Sequence, residues 1–450
     1  MEITIPDKVK TIISKLQDEG YEAYVVGGCV RDSVLGRIPN DWDITTNAKP
    51  LDVKKLFRRT IDVGIEHGTV KVMLGNDGYE ITTYRIDGSY EDSRHPSSVE
   101  FTSQLSEDLL RRDFTINAMA YNDKDGLVDL FGGMEDIKRG LIRAVGVPKE
   151  RFSEDALRIL RAVRFSAQLG YAIEEKTREA IRELAPTLKN ISAERIREEI
   201  EKLIMSNNPD RLRDLCSLGI SKIILPEWDE MVSCEQNTPH HYMTVAEHTI
   251  YALNDCTKHD FNLSGYDKKI LRITMFLHDV AKPVKKTTGE DGVDHFKGHP
   301  EEGAKMAVAI LKRLKYDNAT IKDVEKLVYY HDFRPALTMP KVRRLMIAVG
   351  PERMDLLMKV KWIDLWAHSD YQMDEKTAYT KELEEKSQRI KEDGDCLSVK
   401  ELAVTGADLI GMGIKPGPQM GEILNDLLEY VIQNPKKNTK EDLIKYMNKE

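Results

Sequence analysis

Helical and strand-like patterns of apolar residues alternate over the first third of the chain. An amphipathic helix is predicted to stop before Gly20, because apolar residues recur at i, i+3, i+4 and i+7, namely at Val9, Ile12, Ile13 and Leu16. The run Ala23–Val26 predicts a strand, and a second helical pattern begins after Gly27 and Gly28. Short runs of apolar and β-branched residues between glycine-rich turns predict further strands at 70–74, 79–84 and Val99–Phe101.

From residue 153 onward almost every segment carries helical periodicity, and no run predicts a convincing strand. The polar stretch 233–244 contains a proline and predicts a linker, whereas the densely charged stretch 372–392 predicts one long solvated helix. The fold class is therefore α+β. We expect four regions: a head at 1–145, a helical neck and body at 146–235, a second helical domain at 240–370 and a helical tail at 371–450.

The composition is that of a globular chain. Its 450 residues are 41% hydrophobic and 32% charged, which is too much apolar material for a disordered chain. No apolar stretch approaches the roughly 20 residues that span a bilayer, and the first residues lack the pattern of a secretory signal, so we expect no membrane association. The five cysteines lie far apart without metal or redox spacing, which predicts a reducing cytoplasm. A net charge of −9 argues against non-specific coating of nucleic acid.

Two glycines and three carboxylates carry the first candidate chemistry. Asp41 and Asp43 are two residues apart, so on a strand both side chains would point to the same side. Paired carboxylates suit Mg²⁺, which keeps water ligands and shares substrate phosphates. Gly27 and Gly28 separate a predicted strand from a helix, where backbone without side chains can approach phosphates. Glu80, in another predicted strand, is expected to join the pair.

This combination resembles the polymerase-beta-type nucleotidyltransferase superfamily. The resemblance rests on the order of the parts: Gly-Gly, a dozen residues, Asp-x-Asp and then an acid on a strand. Each part alone is common in turns and loops. The resemblance implies a head with a small mixed sheet and two-metal phosphoryl transfer with Mg²⁺, in which the catalytic residues are Asp41, Asp43 and Glu80.

Four motifs accompany the acid pair in sequence order. They are GGCVRD at 27–32, LRRDFTINA at 110–118, EDALRILRAVRF at 154–165 and ERIREE at 194–199. Together they are similar to the class II tRNA nucleotidyltransferases, the CCA-adding enzymes, and to their bacterial poly(A) polymerase relatives. This resemblance implies addition of CCA to tRNA from CTP and ATP, and it assigns nucleotide binding to Gly27, Gly28, Arg31, Arg112, Asp113, Asn117, Asp155, Arg158, Arg161 and Arg164.

Asp155 and Arg158 are predicted to share one face of a helix, because they are one turn apart. Cytosine and adenine each present an amino donor beside a ring acceptor, whereas uracil and guanine present a carbonyl beside a ring N–H. An acceptor next to a donor therefore suits C and A, and it leaves unpaired polar groups against U and G. The family resemblance gives the two residues this role. An ordinary ion pair on a helix surface is the alternative.

The polar segment 85–96 precedes the motif that contains Arg112 and Asp113. By resemblance it is a flexible loop, and these two residues contact the sugar and the triphosphate of the nucleotide. CC-adding relatives lack this motif, so full CCA addition is favoured over CC addition. Addition of A alone, to tRNA or as a poly(A) polymerase, stays open as an alternative. A non-catalytic RNA- or nucleotide-binding regulator is a further alternative, against which the intact acid pair argues.

A local excess of positive charge lies in the predicted neck and body. Residues 138–202 contain 15 Lys and Arg against 11 Asp and Glu, a local charge of +4. We expect contacts with the phosphates of the tRNA acceptor arm from this region. A solvated helix face is the alternative for each of the candidates, which are Arg178, Arg182, Arg195 and Arg197.

Histidines and aspartates with metal-ligand chemistry recur between residues 240 and 370. Three of the positions follow or begin predicted helices, where buried polar groups need partners. In sequence order the candidates are His248, His278, Asp279, His299, His331 and Asp364. This order resembles the HD-superfamily metal-dependent phosphohydrolases, and it implies a site for a transition metal such as Ni, Co, Mn or Fe. The alternatives are a degenerate HD fold kept as a helical spacer and HD phosphohydrolysis as the main activity.

Overall fold

The computed structural model describes residues 2–87, 99–241, 243–259 and 261–448. The chain divides into two units, residues 1–229 and 230–450. The large sheet belongs to the first unit, and the second unit is almost entirely helical. Within the described part of the chain, every helix is too short or too polar to cross a membrane.

The strands and helices have the following bounds. The strands are β1 Ala23–Val26, β2 Ile44–Thr46, β3 Thr60–Gly64, β4 Thr69–Leu74, β5 Asp77–Thr83, β6 Arg85–Asp87, β7 Val99–Phe101, β8 Met119–Asn122, β9 Gly126–Asp129, β10 Leu141–Ile142, β11 Ala172–Ile173, β12 Thr287–Thr288 and β13 Asp294–His295. The first twelve helices are α1 Asp7–Asp18, α2 Gly28–Val34, α3 Pro50–Leu56, α4 Leu105–Leu110, α5 Gly133–Arg139, α6 Pro148–Glu154, α7 Leu157–Leu169, α8 Glu175–Leu184, α9 Ala193–Ile204, α10 Leu212–Ser217, α11 Ser221–Ile224 and α12 Pro226–Ser233. The others are α13 Val245–Lys258, α14 Gly265–Leu277, α15 Lys282–Lys285, α16 His299–Arg313, α17 Asn318–Tyr330, α18 Met339–Val349, α19 Met354–Trp366, α20 Met373–Glu392, α21 Gly406–Gly411, α22 Pro418–Gln433 and α23 Lys440–Met447.

Seven strands form one mixed sheet in the order β3-β4-β5-β2-β1-β8-β9. Strands β2 and β5 are parallel, and the other neighbouring strands are antiparallel. Helix α1 contributes to the core of this region through four apolar residues that share one face, Val9, Ile12, Ile13 and Leu16. The predicted α+β fold with an N-terminal mixed sheet is confirmed.

The predicted strands of the head correspond to β1, β4, β5 and β7. The expectation of no strand after residue 153 is wrong, because β11 pairs in parallel with β10, and β12 pairs antiparallel with β13. These strands have two residues each. Two residues are too few to establish an alternating pattern, which is why the sequence shows no sign of them.

Helix ends in the second unit coincide with the predicted metal ligands. Helix α14 ends immediately before His278, α16 begins at His299, and α17 ends immediately before His331. The charged stretch 372–392 forms helix α20, as its composition predicts. The polar stretch 233–244 separates α12 from α13.

Candidate functional site

Asp41 and Asp43 lie in the segment that leads into β2, and not in the strand itself. Because β2 begins at Ile44, the prediction that the aspartates lie on a strand is wrong. The sheet still positions the segment, since the last residue of β1 donates its backbone N–H to the carbonyl of Asp43 at 3.0 Å. The parallel register pairs Ile44 with Ile81. The residues that precede this pair are Asp43 and Glu80, so the same register brings Asp43 beside Glu80.

The three acids line one cavity of about 610 Å³. Burial raises the pKa of Asp43, and Glu80 and Asp41 raise it further, although Arg112 acts in the opposite direction. Glu80 also lies 3.2 Å from the ammonium of Lys71. Carboxylates that repel one another in a partly buried site favour a hard cation with oxygen ligands, so this donor set fits Mg²⁺.

Gly27 connects β1 to α2 with a backbone φ of +82°, in the left-handed region. A β-carbon at this position would lie 3.0 Å from Arg112 Nη1. The glycine therefore permits both the turn and the close approach of Arg112, while Gly28 starts the helix. Arg112 also lies 3.3 Å from the buried carboxylate of Asp108. The loop predicted at 85–96 falls, from residue 88 onward, outside the described residues.

A chain of hydrogen bonds connects four of the predicted nucleotide-binding residues. Arg31 Nη1 donates to Asn117 Oδ1 at 2.6 Å, and Asn117 Nδ2 donates to Asp113 Oδ1 at 3.1 Å. Arg161 Nε donates to Asp113 Oδ2 at 2.8 Å. Burial by itself would raise the pKa of Asp113, but Arg161 and Asn117 outweigh burial and lower it to about 2. Asp113 is therefore an ionised centre that orients its neighbours.

Arg161 and Arg164 converge on Glu199, which sequence reasoning did not place among the site residues. Arg164 Nε donates to Glu199 Oε2 at 2.7 Å, and its guanidinium lies over the ring of Phe165, 3.6 Å from the ring centroid. Arg161 lies 4.0 Å from Glu199. The sequence contained a signal for this contact. Glu199 lies among the apolar residues of one face of α9, and a buried acid requires a cationic partner.

Asp155 and Arg158 do not share a helix face. Helix α6 ends before Asp155, which has an extended backbone with φ −139° and ψ 104° and accepts the backbone N–H of Leu157 at 3.0 Å. Asp155 also accepts from Arg195 at 2.7 Å, whereas Arg158 donates to Glu154 at 2.6 Å. The predicted shared face and the alternative ion pair between the two residues are both wrong, because the helix is interrupted at Asp155.

Arginines that were expected to contact tRNA form ion pairs within the first unit. Their partners, at 2.9, 3.1 and 2.7 Å, are Asp214 for Arg178, Glu175 for Arg182 and Asp155 for Arg195. An ion pair on the protein surface is compatible with a later phosphate contact, since such pairs contribute little stability. The tRNA contacts stay predictions.

The six predicted ligands of the second unit come together in one cluster around Asp279. Its Oδ2 lies 3.2 Å from His278 Nε2. Its Oδ1 lies 3.5 Å from His299 Nε2 and 3.7 Å from His331 Nε2. Two groups of possible ligands, each with its atoms within 4.8 Å of one another, therefore adjoin here: His248, His278 and Asp364 in one, and Asp279, His299 and His331 in the other.

The four histidines present the same ring nitrogen to this cluster. Each Nδ1 lies 2.7–3.2 Å from a backbone carbonyl, which makes Nδ1–H the donor and leaves the Nε2 lone pair for a metal. Within the described residues, His278 Nε2 and Asp279 Oδ1 are buried without a hydrogen-bond partner. Burial lowers the pKa of His278, but Asp279 and Asp364 outweigh burial and raise it to about 10, so these carboxylates favour a positive charge at Nε2, which a metal ion would supply in place of a proton. Unpartnered buried atoms among carboxylates fit a metal centre.

Sequence reasoning missed two histidines and a lysine at this cluster. His241 and His368 join one predicted ligand in a third group of possible ligands within 4.8 Å. His368 Nε2 lies 3.6 Å from Asp364 Oδ1, and their i, i+4 spacing was a usable signal. Lys282 Nζ lies 2.7 Å from Asp279 Oδ2, and it follows that aspartate by three residues, which was a second usable signal.

Three family models match the chain. The poly A polymerase head domain matches residues 23–143, and the probable RNA and SrmB-binding site of polymerase A matches residues 170–232. The tRNA nucleotidyltransferase domain 2 matches residues 301–447. The first match contains all three head acids.

Two curated relatives and one solved structure carry the name CCA-adding enzyme. The relative from Pediococcus pentosaceus is 33% identical over 451 residues, which cover 98% of this chain and 98% of that protein. The relative from Lactiplantibacillus plantarum is 53% identical over 200 residues, 44% of this chain and 49% of that protein, so this match spans about half of its length. The structure of the Bacillus stearothermophilus enzyme in complex with CTP aligns with a TM-score of 0.70 and 29% identity, over 98% of this chain and 97% of that one.

Proposed function

The chain belongs to the CCA-adding enzyme family of nucleotidyltransferases, and on that premise we propose that it adds C, C and A to the 3′ end of tRNA from CTP and ATP. The observation that carries the proposal is the head cavity, where Asp41, Asp43 and Glu80 meet beside Arg112. In each addition, the 3′-hydroxyl oxygen of the tRNA bonds to the α-phosphorus of the nucleotide. The bond to the leaving pyrophosphate breaks, and the hydroxyl proton passes to solvent.

The acids of the cavity would hold the metal. Bound Mg²⁺, as a two-metal centre, would supply activation of the hydroxyl and neutralisation of charge on the pyrophosphate. The chain itself contributes positioning: the sheet register sets Glu80 beside Asp43, and a backbone hydrogen bond from β1 holds the segment that carries Asp41 and Asp43. Burial is the main cause of the raised pKa of Asp43, and Glu80 and Asp41 add to it, so a bound cation would stabilise the ionised carboxylate.

The cationic residues around Gly27 would bind the nucleotide. Arg112 approaches the glycine turn, and Arg31 is held by Asn117, so both guanidinium groups are oriented before a triphosphate arrives. Asp113 has both carboxylate oxygens engaged, which makes it the residue that positions Arg161.

Asp155 and Arg158 would select the base. Each carries hydrogen-bonding groups of the type that C and A require, and each is at present paired with other residues of the chain. Binding of a base would exchange these contacts for contacts with the amino group and the ring nitrogen. Such an exchange discriminates strongly, because a wrong base would leave buried polar groups unpaired.

Single-nucleotide addition assays test the proposal. The substrates are tRNAs that end before CCA, before CA and before A, incubated with CTP, ATP or both. We expect CTP to extend the first two substrates and ATP to extend only the last one. Extension of the last substrate by A without any incorporation from CTP would identify an A-adding enzyme, and extension of every substrate by A would identify a poly(A) polymerase. Binding without any incorporation would identify a regulator.

A variant pair makes the assay specific for the head cavity. Asp43→Asn should abolish incorporation of CMP and AMP alike while tRNA binding persists, because it removes charge from the metal site. Asp62→Asn, on the exposed strand β3 and paired with Lys54, is the matched control and should leave incorporation unchanged. Near-normal incorporation by Asp43→Asn would contradict the assignment of the head cavity as the site of nucleotide addition.

A specific observation favours a second activity, and we propose that the second unit is a metal-dependent phosphohydrolase. Four imidazole Nε2 atoms face Asp279, and each has its Nδ1 tied to a backbone carbonyl. A first-row transition metal bound there would supply an activated water. The test is the metal content of the purified chain after exposure to Ni²⁺, Co²⁺ or Mn²⁺, followed by hydrolysis of a phosphoester with and without chelator. If the purified chain binds no metal under these conditions, the second unit is a helical spacer and not a phosphohydrolase.

A further inference from the structure

Three lysines are buried within the part of the chain that the structure describes, and one of them lacks a partner. Lys282 pairs with Asp279 at 2.7 Å. Lys361 donates to two backbone carbonyls at 2.7 and 2.8 Å. Lys376 is only 6% exposed, and its ammonium nitrogen is buried with no hydrogen-bond partner. A buried ammonium without hydrogen bonds is unfavourable, so Lys376 requires an explanation.

The location of Lys376 indicates what kind of ligand its ammonium could bind. It lines the same cavity of about 540 Å³ as the cluster residues Asp279, His299 and His331. It also lies in the first turn of the 20-residue helix α20, where the helix dipole is positive and does not stabilise a cation. An anion in the cavity would be attracted by the ammonium of Lys376.

The charges around Lys376 leave it without compensation. Burial and Arg334 lower the pKa of Lys376, whereas Asp364 and Asp332 raise it. Both of these acids have other partners: Asp364 Oδ1 lies 2.9 Å from His248 Nε2, and Asp332 lies 3.7 Å from Arg334. Neither acid is therefore the direct partner of Lys376, and its ammonium is an unpaired charge on this side of the cavity.

We propose that Lys376 binds the phosphate group of the substrate in this cavity, and that the substrate is a phosphomonoester. The inference rests on the phosphohydrolase proposed for the second unit. Inorganic phosphate, the product, should bind to the same residue.

The charge balance favours the monoester over a cyclic diester. The charged side chains that line the cavity balance one another, with the acids Asp279, Asp294, Asp332 and Asp364 and the bases Lys282, Lys297, Arg334 and Lys376. Divalent cations bound to the cluster would therefore leave a surplus of positive charge. A dianionic monoester offsets this surplus better than a monoanionic cyclic diester. In the reaction, the oxygen of water bonds to phosphorus, the ester P–O bond breaks, and the leaving oxygen takes a proton from the water.

Phosphate binding to the full-length chain tests the inference. Isothermal titration with inorganic phosphate is done on metal-loaded and on chelated protein, for the wild type, Lys376→Met and Lys376→Arg. Lys381→Met is the control, because Lys381 lies on the same helix, is 70% exposed and pairs with Glu385. We expect Lys376→Met to weaken phosphate binding by about tenfold or more, Lys376→Arg to restore most of it, and the control to bind normally.

Three further measurements separate binding from a structural role. Lys376→Met should keep its metal content and should unfold at the same or a higher temperature, because it removes an unpartnered buried charge. Its KM should rise by about tenfold for a phosphomonoester and clearly less for a 2′,3′-cyclic nucleotide. Unchanged phosphate affinity, loss of metal, or equal effects on both esters would each overturn the inference.

The two proposals for this site fail in different ways. If the wild type binds phosphate through Lys376 but hydrolyses neither ester, the phosphohydrolase proposal fails and the phosphate site stands. If hydrolysis proceeds and phosphate binding does not depend on Lys376, the phosphate site fails and the phosphohydrolase stands.

Discussion

Arg158 shows how single residues of the first unit are held before any ligand arrives. Its guanidinium donates to Glu154 at 2.6 Å and to the backbone carbonyl of Arg111 at 2.7 Å. Arg111 directly precedes Arg112, which approaches the glycine turn, so Arg158 connects α7 to the glycine turn of the head. Because these contacts already hold the guanidinium, less side-chain entropy is lost when it exchanges them for contacts with a base.

We predict that Arg158→Ala lowers incorporation of CMP and AMP together, by about tenfold or more, because both correct bases lose the same charged donor. The preference for CTP and ATP over UTP and GTP should decrease at the same time, since the variant lacks the donor that is left unpaired by the wrong bases. The measurement is kcat/KM for the four nucleotides. Arg58→Ala is the control, because Arg58 is an exposed arginine of the same unit and is not among the residues proposed to bind nucleotide or tRNA. An unchanged ranking of the four nucleotides would show that Arg158 only supports the structure.

At the scale of elements, the connection between β1 and α2 places the glycine turn against Arg112. The turn needs a left-handed residue at Gly27, and the space beside it is filled by the guanidinium of Arg112. The same helix is followed by Gly36, which has a φ of +70° but open space around its α-carbon. A comparison of the two glycines therefore distinguishes the effect of backbone strain from the effect of the close approach of Arg112.

We predict that Gly27→Ala and Gly36→Ala both destabilise the protein, by about 1–2 kcal/mol, because each forces alanine into the left-handed region. Only Gly27→Ala should also lower nucleotide addition, since its β-carbon would displace Arg112. Thermal unfolding and incorporation assays on both variants check this. Equal losses of activity in the two variants would mean that strain alone, and not the position of Arg112, limits the reaction.

At the scale of the whole molecule, the two candidate metal sites lie in two different units. The head acids lie in residues 1–229, and the histidine cluster lies in residues 230–450. Oxygen ligands favour Mg²⁺, whereas imidazole favours first-row transition metals, so each site should select its own ion.

We predict that the two activities separate by mutation and by metal. His278→Ala and Asp279→Ala should each abolish phosphoester hydrolysis and leave nucleotide addition largely intact, because each removes a ligand of the cluster alone. Asp43→Ala should have the opposite effect. Both activities are measured on all variants with Mg²⁺ alone and with added Ni²⁺, Co²⁺ or Mn²⁺. If His278→Ala stopped nucleotide addition without unfolding the protein, the division into two sites would be wrong.

The sequence by itself determined the family, the α+β class and the helix ends that carry His278, His299 and His331. These features depend on local spacing and on short motifs, which contiguous residues contain in full. The inward direction of the Nε2 atoms also has a local cause, since three of the four Nδ1 contacts reach a carbonyl three residues earlier.

Only the tertiary structure decided which side chains meet. It separated Asp155 from Arg158, although their spacing predicted one face, because Arg195 of the distant helix α9 takes the carboxylate of Asp155. It joined Glu199 to the arginines of α7, and it buried Lys376 in the cavity of a cluster that begins more than a hundred residues earlier along the chain. Contacts of this kind depend on how distant elements pack, and no local periodicity records that packing.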